Sequence, residues 1–256
     1  MIIGIDDFIQ AVAVGFVAFL YAAVGHGGAT GYISVLTLLG EPSRLIATTA
    51  LIINTVVSTL SFANYARGGH FIWKVTWPFL ISSIPASYLG ALMPLSGRVV
   101  ACIMGGALLL AALRFLLGAL GLVKNNDREP IRPPLPLALM VGGLLGLLSG
   151  MIGIGGGVFL SPVIIFARWA STKQSSATAA LFILVNSLAG LAGRYHAQKL
   201  TADTIAPDLW LSMIFAIPMA YLGAYLGASR FSSRNLQILL ALVLMIAAIK
   251  LFVTGS

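Results

Sequence analysis

Two glycine-rich stretches hold the residues of this chain that are best suited to bind a ligand. The first glycine stretch, residues 24–31, reads VGHGGATG, and the second glycine stretch, residues 150–162, reads GMIGIGGGVFLSP. Each lies within a long apolar run, where several glycines destabilise a helix. Inside a bilayer, irregular backbone persists only where protein buries it or where it lines a wet cavity. We therefore predict that the functional site lies between these two stretches.

Backbone N–H groups are the first chemical resource of such a site. Helices that restart after Gly28 and Gly157 would point unpaired N–H groups and partial positive charge at the centre of the protein. Helix N-termini of this kind bind oxyanions, and glycine lets the ligand approach the backbone. A phosphate-binding loop is excluded, because GIGGG is not followed by Gly-Lys-Ser/Thr. The candidate binding residues are Gly27, Gly28, Gly155, Gly156 and Gly157, with close helix packing as their alternative role.

His26 is the ionisable residue of the first glycine stretch, whereas the second stretch has Ile154 at the corresponding place. A histidine at that depth can carry a proton or donate a hydrogen bond to an oxyanion. A neutral ring that is bonded to the backbone is the alternative. The difference between the two residues indicates that the two stretches do not have identical roles.

Two asparagines lie in the apolar segments that follow the glycine stretches. Asn54, Ser58, Ser61 and Tyr65 are spaced i, i+4, i+7 and i+11, which places them on one face of a helix. The same spacing from Asn186 meets only small residues. These side chains either line a substrate pathway or hydrogen-bond a neighbouring helix.

Arg67 and Arg194 flank two tyrosines at corresponding places, Tyr65 and Tyr195. When the halves of the chain are aligned, the arginines fall on nearly the same helical face. Because a planar guanidinium binds oxyanions well, we predict that the pair forms an anion-collecting mouth. Two ordinary interfacial arginines are the alternative.

The composition assigns these residues to a membrane protein. The chain has 256 residues, of which 59% are hydrophobic and 9% are charged, and its mean hydropathy is +1.01. This composition predicts an all-α polytopic membrane protein. The beginning, MIIGIDDF, has two acids and no basic region, so we interpret it as mature sequence and not as a signal peptide.

The charges narrow the class of function. The net charge of +8 is consistent with basic cytoplasmic loops or with a surface that attracts anions. The Lys and Arg residues are spread singly over many loops, which argues against binding of nucleic acid. Because cation carriers usually keep a carboxylate at mid-membrane, a cation carrier is disfavoured. With no metal-binding cluster and no nucleophile beside a base, we expect no enzyme, metal or cofactor. The seven acids all fall at the terminus or in predicted loops: Asp6, Asp7, Glu41, Asp127, Glu129, Asp203 and Asp208.

The chain divides into two similar halves. ATTAL at residues 47–51 matches ATAAL at 177–181, and IPASYLGA at 84–91 matches IPMAYLGA at 217–224. Such ordered matches predict two homologous four-segment repeats, residues 1–122 and 135–256, joined by a polar linker at 123–134. The first segment of each half is too long for one simple span, so it is either a tilted, Gly-broken helix or a re-entrant hairpin. If both first segments are hairpins, ten Lys and Arg lie on one side of the membrane and five on the other. If both segments cross, the division is nine to six. This margin favours inverted repeats with the N-terminus outside.

The motifs GHGGATGY, ATTALIIN and YARGGHF, together with GMIGIGGGVFLSP and ATAAL, resemble the TauE/SafE sulfite exporter family of bacterial permeases. The resemblance covers nearly the whole chain and the duplicated layout. It implies a multi-pass protein of the cytoplasmic (inner) membrane of a bacterium, which moves sulfite or other small sulfur-containing or organic anions, commonly outward.

The resulting hypothesis is a permease that exports such an anion. The anion would be held between the glycine stretches by backbone N–H groups, Asn54 and Asn186, and attracted by Arg67 and Arg194. An importer of an organosulfonate or another organic anion, coupled to protons through His26, is the alternative. The expected partners are the anion and the lipid bilayer, with a homodimer left open and nucleic acid excluded.

Overall fold

The computed structural model describes residues 5–93, 97–122, 131–201, 204–206 and 209–229, together with isolated helical positions between 234 and 249. Four of the acids assigned to loops, Asp127, Glu129, Asp203 and Asp208, lie outside the described residues, as does most of the linker at 123–134. The described part contains nine delineated α-helices. They are α1 Ile5–Ala23, α2 Ala29–Leu38, α3 Ser43–Arg67, α4 Trp73–Leu92, α5 Gly97–Ala119, α6 Leu135–Ile152, α7 Gly157–Phe166, α8 Thr172–His196 and α9 Leu209–Ser229.

Six of these helices, α1, α3, α4, α6, α8 and α9, are long and apolar enough to cross a membrane. A helix rises about 1.5 Å per residue, so about 20 residues match the hydrocarbon core. Large apolar side chains on the outer faces, such as Leu110, Leu144 and Ile214, are more than half exposed, as expected for surfaces that face lipid. The prediction of an all-helical, polytopic membrane protein is therefore confirmed.

Helices α3 and α8 lie side by side in the centre and run antiparallel. Asn54 of α3 hydrogen-bonds Ser187 of α8. One turn earlier on α3, Leu51 faces Gly190, where an added methyl group would lie 3.4 Å away. The end of α3 therefore lies beside the beginning of α8. We call the two ends of this pair the Arg67 end and the Arg194 end.

Small residues bring the outer helices into backbone contact. Helix α6 packs on α4, and α9 packs on α1, in both cases through glycines spaced four apart. A Cβ atom at any of these glycines would meet the backbone of the neighbouring helix, so the close approach requires glycine. The facing pairs are Gly146 with Ser83, Gly150 with Ser87, Gly223 with Phe19 and Gly227 with Ala23.

The ten-residue helices α2 and α7 do not continue along the axes of the helices that precede them. Gly31 of α2 faces Val17 and Tyr21 of α1, and Gly156, at the start of α7, faces Leu145 of α6. Their N-cap residues, Gly28 and Gly156, have left-handed φ values of 98° and 72°. L-residues with a side chain rarely adopt this conformation, so glycine makes the change of direction feasible here.

Candidate functional site

The carboxamide of Asn54 lies at the centre of the protein and is fully buried. Its Oδ1 accepts a hydrogen bond of 3.1 Å from the backbone N–H of Ala29, the first residue of α2. Its Nδ2 donates to Ser187 Oγ at 2.9 Å. Gly27 and Gly155 pack against the same group, and a methyl group on Gly155 would lie 2.5 Å from Nδ2. One side chain of α3 therefore contacts both glycine stretches and α8.

In the first glycine stretch, Gly27 and Gly28 shape the turn that leads into α2. The Tyr32 hydroxyl donates to the Gly27 carbonyl at 2.9 Å, which fixes the turn from within α2. The N–H of Ala29 is capped by Asn54, a residue from 25 positions further along the chain. The N-terminus of α2 is thus held by a neighbouring helix and not by a local capping residue.

In the second glycine stretch, Gly155 and Gly156 both have left-handed φ values, 71° and 72°. Gly157 begins α7 and packs against Ile183 of α8. Helix α7 has no side-chain cap at its N-terminus. The fully buried hydroxyl of Ser149, whose Cβ lies 3.3 Å from the position of a Cβ on Gly156, has no hydrogen-bond partner in the described part of the chain.

His26 joins the first glycine stretch to α7. Its Nδ1 lies 2.9 Å from the Val24 carbonyl oxygen, and its Nε2 lies 3.0 Å from Ser161 Oγ. A carbonyl only accepts, so Nδ1 carries the proton, and in the neutral ring Nε2 accepts from the Ser161 hydroxyl. The Ser61 hydroxyl also donates to the His26 carbonyl, at 3.4 Å. The histidine is therefore bonded to backbone, as the alternative interpretation expected, and also links two halves of the chain.

The polar stripe of α3 divides into two kinds of residue. Asn54, Ser61 and Tyr65 contact the first glycine stretch or the end of α1, since the Tyr65 hydroxyl donates to the Ala23 carbonyl at 3.3 Å. Ser58 is buried but donates to the Thr55 carbonyl of its own helix. At three of its four positions the stripe therefore contacts the first glycine stretch or the end of α1 just before it.

Among the described residues, the hydrogen bonds of Asn186 go to α4 and to its own helix. Its Nδ2 donates to Ser83 Oγ of α4 at 3.1 Å and to the Phe182 carbonyl at 2.8 Å. Its backbone carbonyl accepts from Ser87 Oγ at 2.8 Å. The Oδ1 atom is buried and has no hydrogen-bond partner among the described residues. It is the next residue, Ser187, that hydrogen-bonds Asn54.

The structure does not bring Arg67 and Arg194 together. Each lies at the C-terminal end of its helix, and the two helices are antiparallel. At about 1.5 Å per residue the two arginines are separated by about 30 Å along the helix pair. Their tyrosine neighbours differ as well, because Tyr65 is 3% exposed and Tyr195 is 71% exposed. The predicted common mouth is therefore corrected to one arginine at each end.

The Arg194 end carries a second cation that the sequence did not single out. Lys199 Nζ donates to the carbonyls of Ala91 and Met93, at 3.2 and 2.9 Å, where α4 ends. Burial, and then the nearby Arg194 guanidinium, lower the pKa of Lys199. Lys199 is thus engaged in binding the carbonyl end of α4, where a cation is favourable.

The described part of the chain contains no group of three or more His, Cys, Asp or Glu residues that could hold a metal ion. The acids described are Asp6, Asp7 and Glu41, which lie in the first turn of α1 and in the loop before α3. The buried polar centre therefore consists of amide, hydroxyl and imidazole groups together with backbone N–H groups. The N–H and O–H groups among these can donate hydrogen bonds to anions and to neutral polar solutes.

Six apolar spans around a buried polar centre are typical of a multi-pass membrane transporter. The chain matches the family Sulfite exporter TauE/SafE over residues 11–251. It belongs to that family, and it is a membrane transporter.

Several relatives are also described as membrane transporters. The chain is 36% identical over 241 residues to Probable membrane transporter protein y4hK of Sinorhizobium fredii, which covers 94% of this chain and 96% of that protein. It is 26% identical over 252 residues to Probable membrane transporter protein MJ0441 of Methanocaldococcus jannaschii, 91% of each chain. It is 25% identical to Probable membrane transporter protein YjnA of Bacillus subtilis, over 92% of this chain and 96% of that one. No solved structure matches the chain.

Proposed function

We propose that this protein exports sulfite or a related small sulfur-containing or organic anion across the cytoplasmic (inner) membrane of a bacterium. The observation that carries the proposal is the position of Asn54. Its carboxamide lies where the N-terminus of α2 and the second glycine stretch meet, and it bonds the first N–H group of α2. Helix N-termini favour negative charge, and no carboxylate of the described residues lies there to oppose it.

We also propose that the two halves, residues 1–122 and 135–256, are inverted repeats and that α1–α2 and α6–α7 are re-entrant hairpins. The antiparallel α3 and α8 support this, because each is the long helix that follows a glycine stretch. Reciprocal packing supports it too, since α4 lies on α6 and α9 lies on α1. The sequence count of ten Lys and Arg against five then supports a cytoplasmic position for the Arg67 end.

Binding at this centre would require a change at Asn54. An anion oxygen would accept a hydrogen bond from the same Ala29 N–H that the Asn54 Oδ1 now occupies. The Asn54 carboxamide would therefore rotate, leaving its Nδ2 able to donate to the anion. The N–H groups beside Gly27, Gly28, Gly155, Gly156 and Gly157 would complete the site. Arg67 would attract the anion at the cytoplasmic end, and Arg194 would receive it at the other end.

Export of an anion needs no coupling ion when the cell interior is negative. Moving one negative charge outward gains about 2.3 kcal/mol per 100 mV. Import of an organosulfonate or another organic anion would need coupling, and the link from His26 to Ser161 favours that second candidate. A proton on Nε2 would turn this bond around, because a protonated imidazole only donates. Proton-dependent movement of α7 against the first glycine stretch would follow.

The test is sulfite efflux from proteoliposomes under a potassium diffusion potential of either sign. We expect potential-driven efflux that Asn54→Ala weakens about tenfold or more, because the N–H of Ala29 and the site geometry are disturbed. Asn64→Ala is the matched control, since Asn64 Nδ2 donates to the Leu60 carbonyl of its own helix. If the folded protein shows no flux of sulfite, sulfite is not its substrate. If Asn54→Ala and Asn64→Ala show equal flux, the proposed site at Asn54 is wrong.

A further inference from the structure

Arg114 places a positive charge within α5, at a position that the proposed function does not use. Its Nε and Nη1 atoms are buried and have no hydrogen-bond partner in the described part of the chain. An arginine is charged at every physiological pH and has five N–H donors. The side chain as a whole is half-buried. Charged N–H groups that are buried without a partner are costly, more so in a membrane, so such residues are typically functional.

Arg114 lies beside the first glycine stretch. The next residue, Phe115, is buried, and its ring meets the His26 ring at 6.1 Å and the Tyr21 ring at 5.9 Å, nearly edge to face in both contacts. Arg114 is the residue immediately before this ring on α5, so its Cα lies within one residue of the contact with His26. Helix α5 therefore presents a cation to the same turn whose backbone N–H groups lead into α2.

The described carboxylates lie elsewhere. Asp6 and Asp7 are in the first turn of α1, and Glu41 is in the loop before α3, both at the Arg194 end. His26 lies toward the Arg67 end, because Ser61, which donates to its carbonyl, is six residues before Arg67 on α3. Among the described residues, no carboxylate at that end is bonded to Arg114, and a bound oxyanion would supply a compensating charge.

We propose that Arg114 is an anion-binding residue and that its guanidinium binds a small oxyanion beside His26. The class of ligand rests on the proposed function, and the site adds a step to it. Ser61 is about 9 Å from the end of α3, whereas Asn54 is about 20 Å from it. An exported oxyanion therefore meets Arg114 before it reaches Asn54.

The geometry of the guanidinium sets the preference of this site. Its planar fork donates two parallel hydrogen bonds to two oxygens of one oxyanion, as in sulfite or a carboxylate. A chloride ion has no second oxygen to accept, and a lysine is a point charge that does not reproduce the fork. The site therefore selects oxyanions over halides, and it requires arginine for that selection.

The experiment compares Arg114→Leu, Arg114→Lys and the control Arg132→Gln. Arg132 is exposed and lies just before α6, at the Arg67 end. The first measurement is the melting temperature in detergent with sodium sulfite or with sodium chloride at equal ionic strength. The second is the KM for sulfite efflux from proteoliposomes.

We expect sulfite, but not chloride, to raise the melting temperature of the wild-type protein and of Arg132→Gln. Arg114→Leu loses that rise, and Arg114→Lys retains only part of it. The KM rises about ten- to a hundredfold in Arg114→Leu, as expected for the loss of hydrogen bonds to a charged group. Without sulfite, Arg114→Leu melts at the wild-type temperature or higher, because two buried N–H groups without a partner have been replaced by an apolar side chain.

A sulfite-dependent rise and a KM that stay at wild-type values in Arg114→Leu would overturn the inference and leave sulfite export intact. A lower melting temperature of Arg114→Leu without sulfite, restored by Arg114→Lys, would also overturn it, because Arg114 would then be structural. The experiment also distinguishes failure of the proposed export from failure of the anion site. Absence of sulfite efflux, with a sulfite-dependent rise that is lost only in the Arg114 variants, would refute the proposed export and support the anion site.

Discussion

Replacing Asn54 by alanine tests the centre of the protein most directly. The change leaves the buried N–H of Ala29 and the hydroxyl of Ser187 without their partner. An unpaired buried polar group costs about 1–3 kcal/mol. The Ser187 hydroxyl can turn to a carbonyl of its own helix and recover part of this cost, whereas the Ala29 N–H has no such choice. We therefore expect Asn54→Ala to lower the free energy of unfolding by about 2–4 kcal/mol.

The assay is equilibrium unfolding in mixed micelles of a mild detergent and dodecyl sulfate, followed by circular dichroism. Asn64→Ala is the control, because the Asn64 side chain is half-buried and its hydrogen bond among the described residues goes to the Leu60 carbonyl of its own helix. Surface-like changes of this kind stay within about 0.5 kcal/mol. A double-mutant cycle with Ser187→Ala isolates the bond between the two helices, for which we expect a coupling energy of about 0.6–1.7 kcal/mol.

Two results would refute this reasoning. One is a loss of stability in Asn54→Ala that is no larger than that of Asn64→Ala. The other is a coupling energy near zero between Asn54 and Ser187, which would mean that the bond of 2.9 Å does not hold α3 against α8 in the membrane protein. Either result would also remove the structural basis for placing the anion at the carboxamide.

Three further changes test the elements around this centre. Gly155→Ala places a methyl group 2.5 Å from Asn54 Nδ2, at a φ of 71°. We expect it to lower the free energy of unfolding by about 2–4 kcal/mol in the same assay. The control Gly106→Ala, with open space around it, should lose nothing. Tyr65→Phe removes a buried hydroxyl and should lower the free energy of unfolding by about 0.5–1.5 kcal/mol. The same change at the exposed Tyr195 should lower it by less than about 0.5 kcal/mol. Equal losses in the two variants would contradict the different burial of the two tyrosines. Gly146→Leu should separate α6 from α4 and reduce the yield of folded, monodisperse protein. The control Gly106→Leu should not reduce that yield. A monodisperse Gly146→Leu protein in normal yield would contradict the close packing of α6 on α4.

The sequence predicted the membrane class well because composition and length are decided by the bilayer alone. Apolar runs of about 20 residues favour helices there, because a helix satisfies each backbone N–H and C=O group within its own segment. The helical spacing of Asn54, Ser61 and Tyr65 also predicted a shared face correctly, because these residues belong to one helix. The face that residues share within one helix can therefore be predicted from their spacing.

Relations between helices were not accessible in the same way. Spacing gives the face on which Arg67 and Arg194 lie, but the antiparallel packing of α3 and α8 decides that they lie at opposite ends. The register of that packing also decides that Ser187 and not Asn186 meets Asn54. Ser161 stands within the second glycine stretch, but its bond to His26 depends on how α7 lies against the first stretch. These contacts result from tertiary packing, for which a single sequence contains no direct signal.

The two halves resemble each other in layout, but their glycine stretches differ in chemistry. The matching pentapeptides align Asn54 with Leu184, so a polar cap stands in one half where the other has an apolar side chain. The N-terminus of α2 is bonded by Asn54, whereas that of α7 has no side-chain cap. An anion at α2 must displace a hydrogen bond whose net contribution is about 1 kcal/mol, and no comparable side-chain bond has to break at α7. If the halves exchange as the proposed inverted repeats, the two resulting states would therefore differ in energy, whereas the direction of net flux would still follow the anion gradient and the membrane potential.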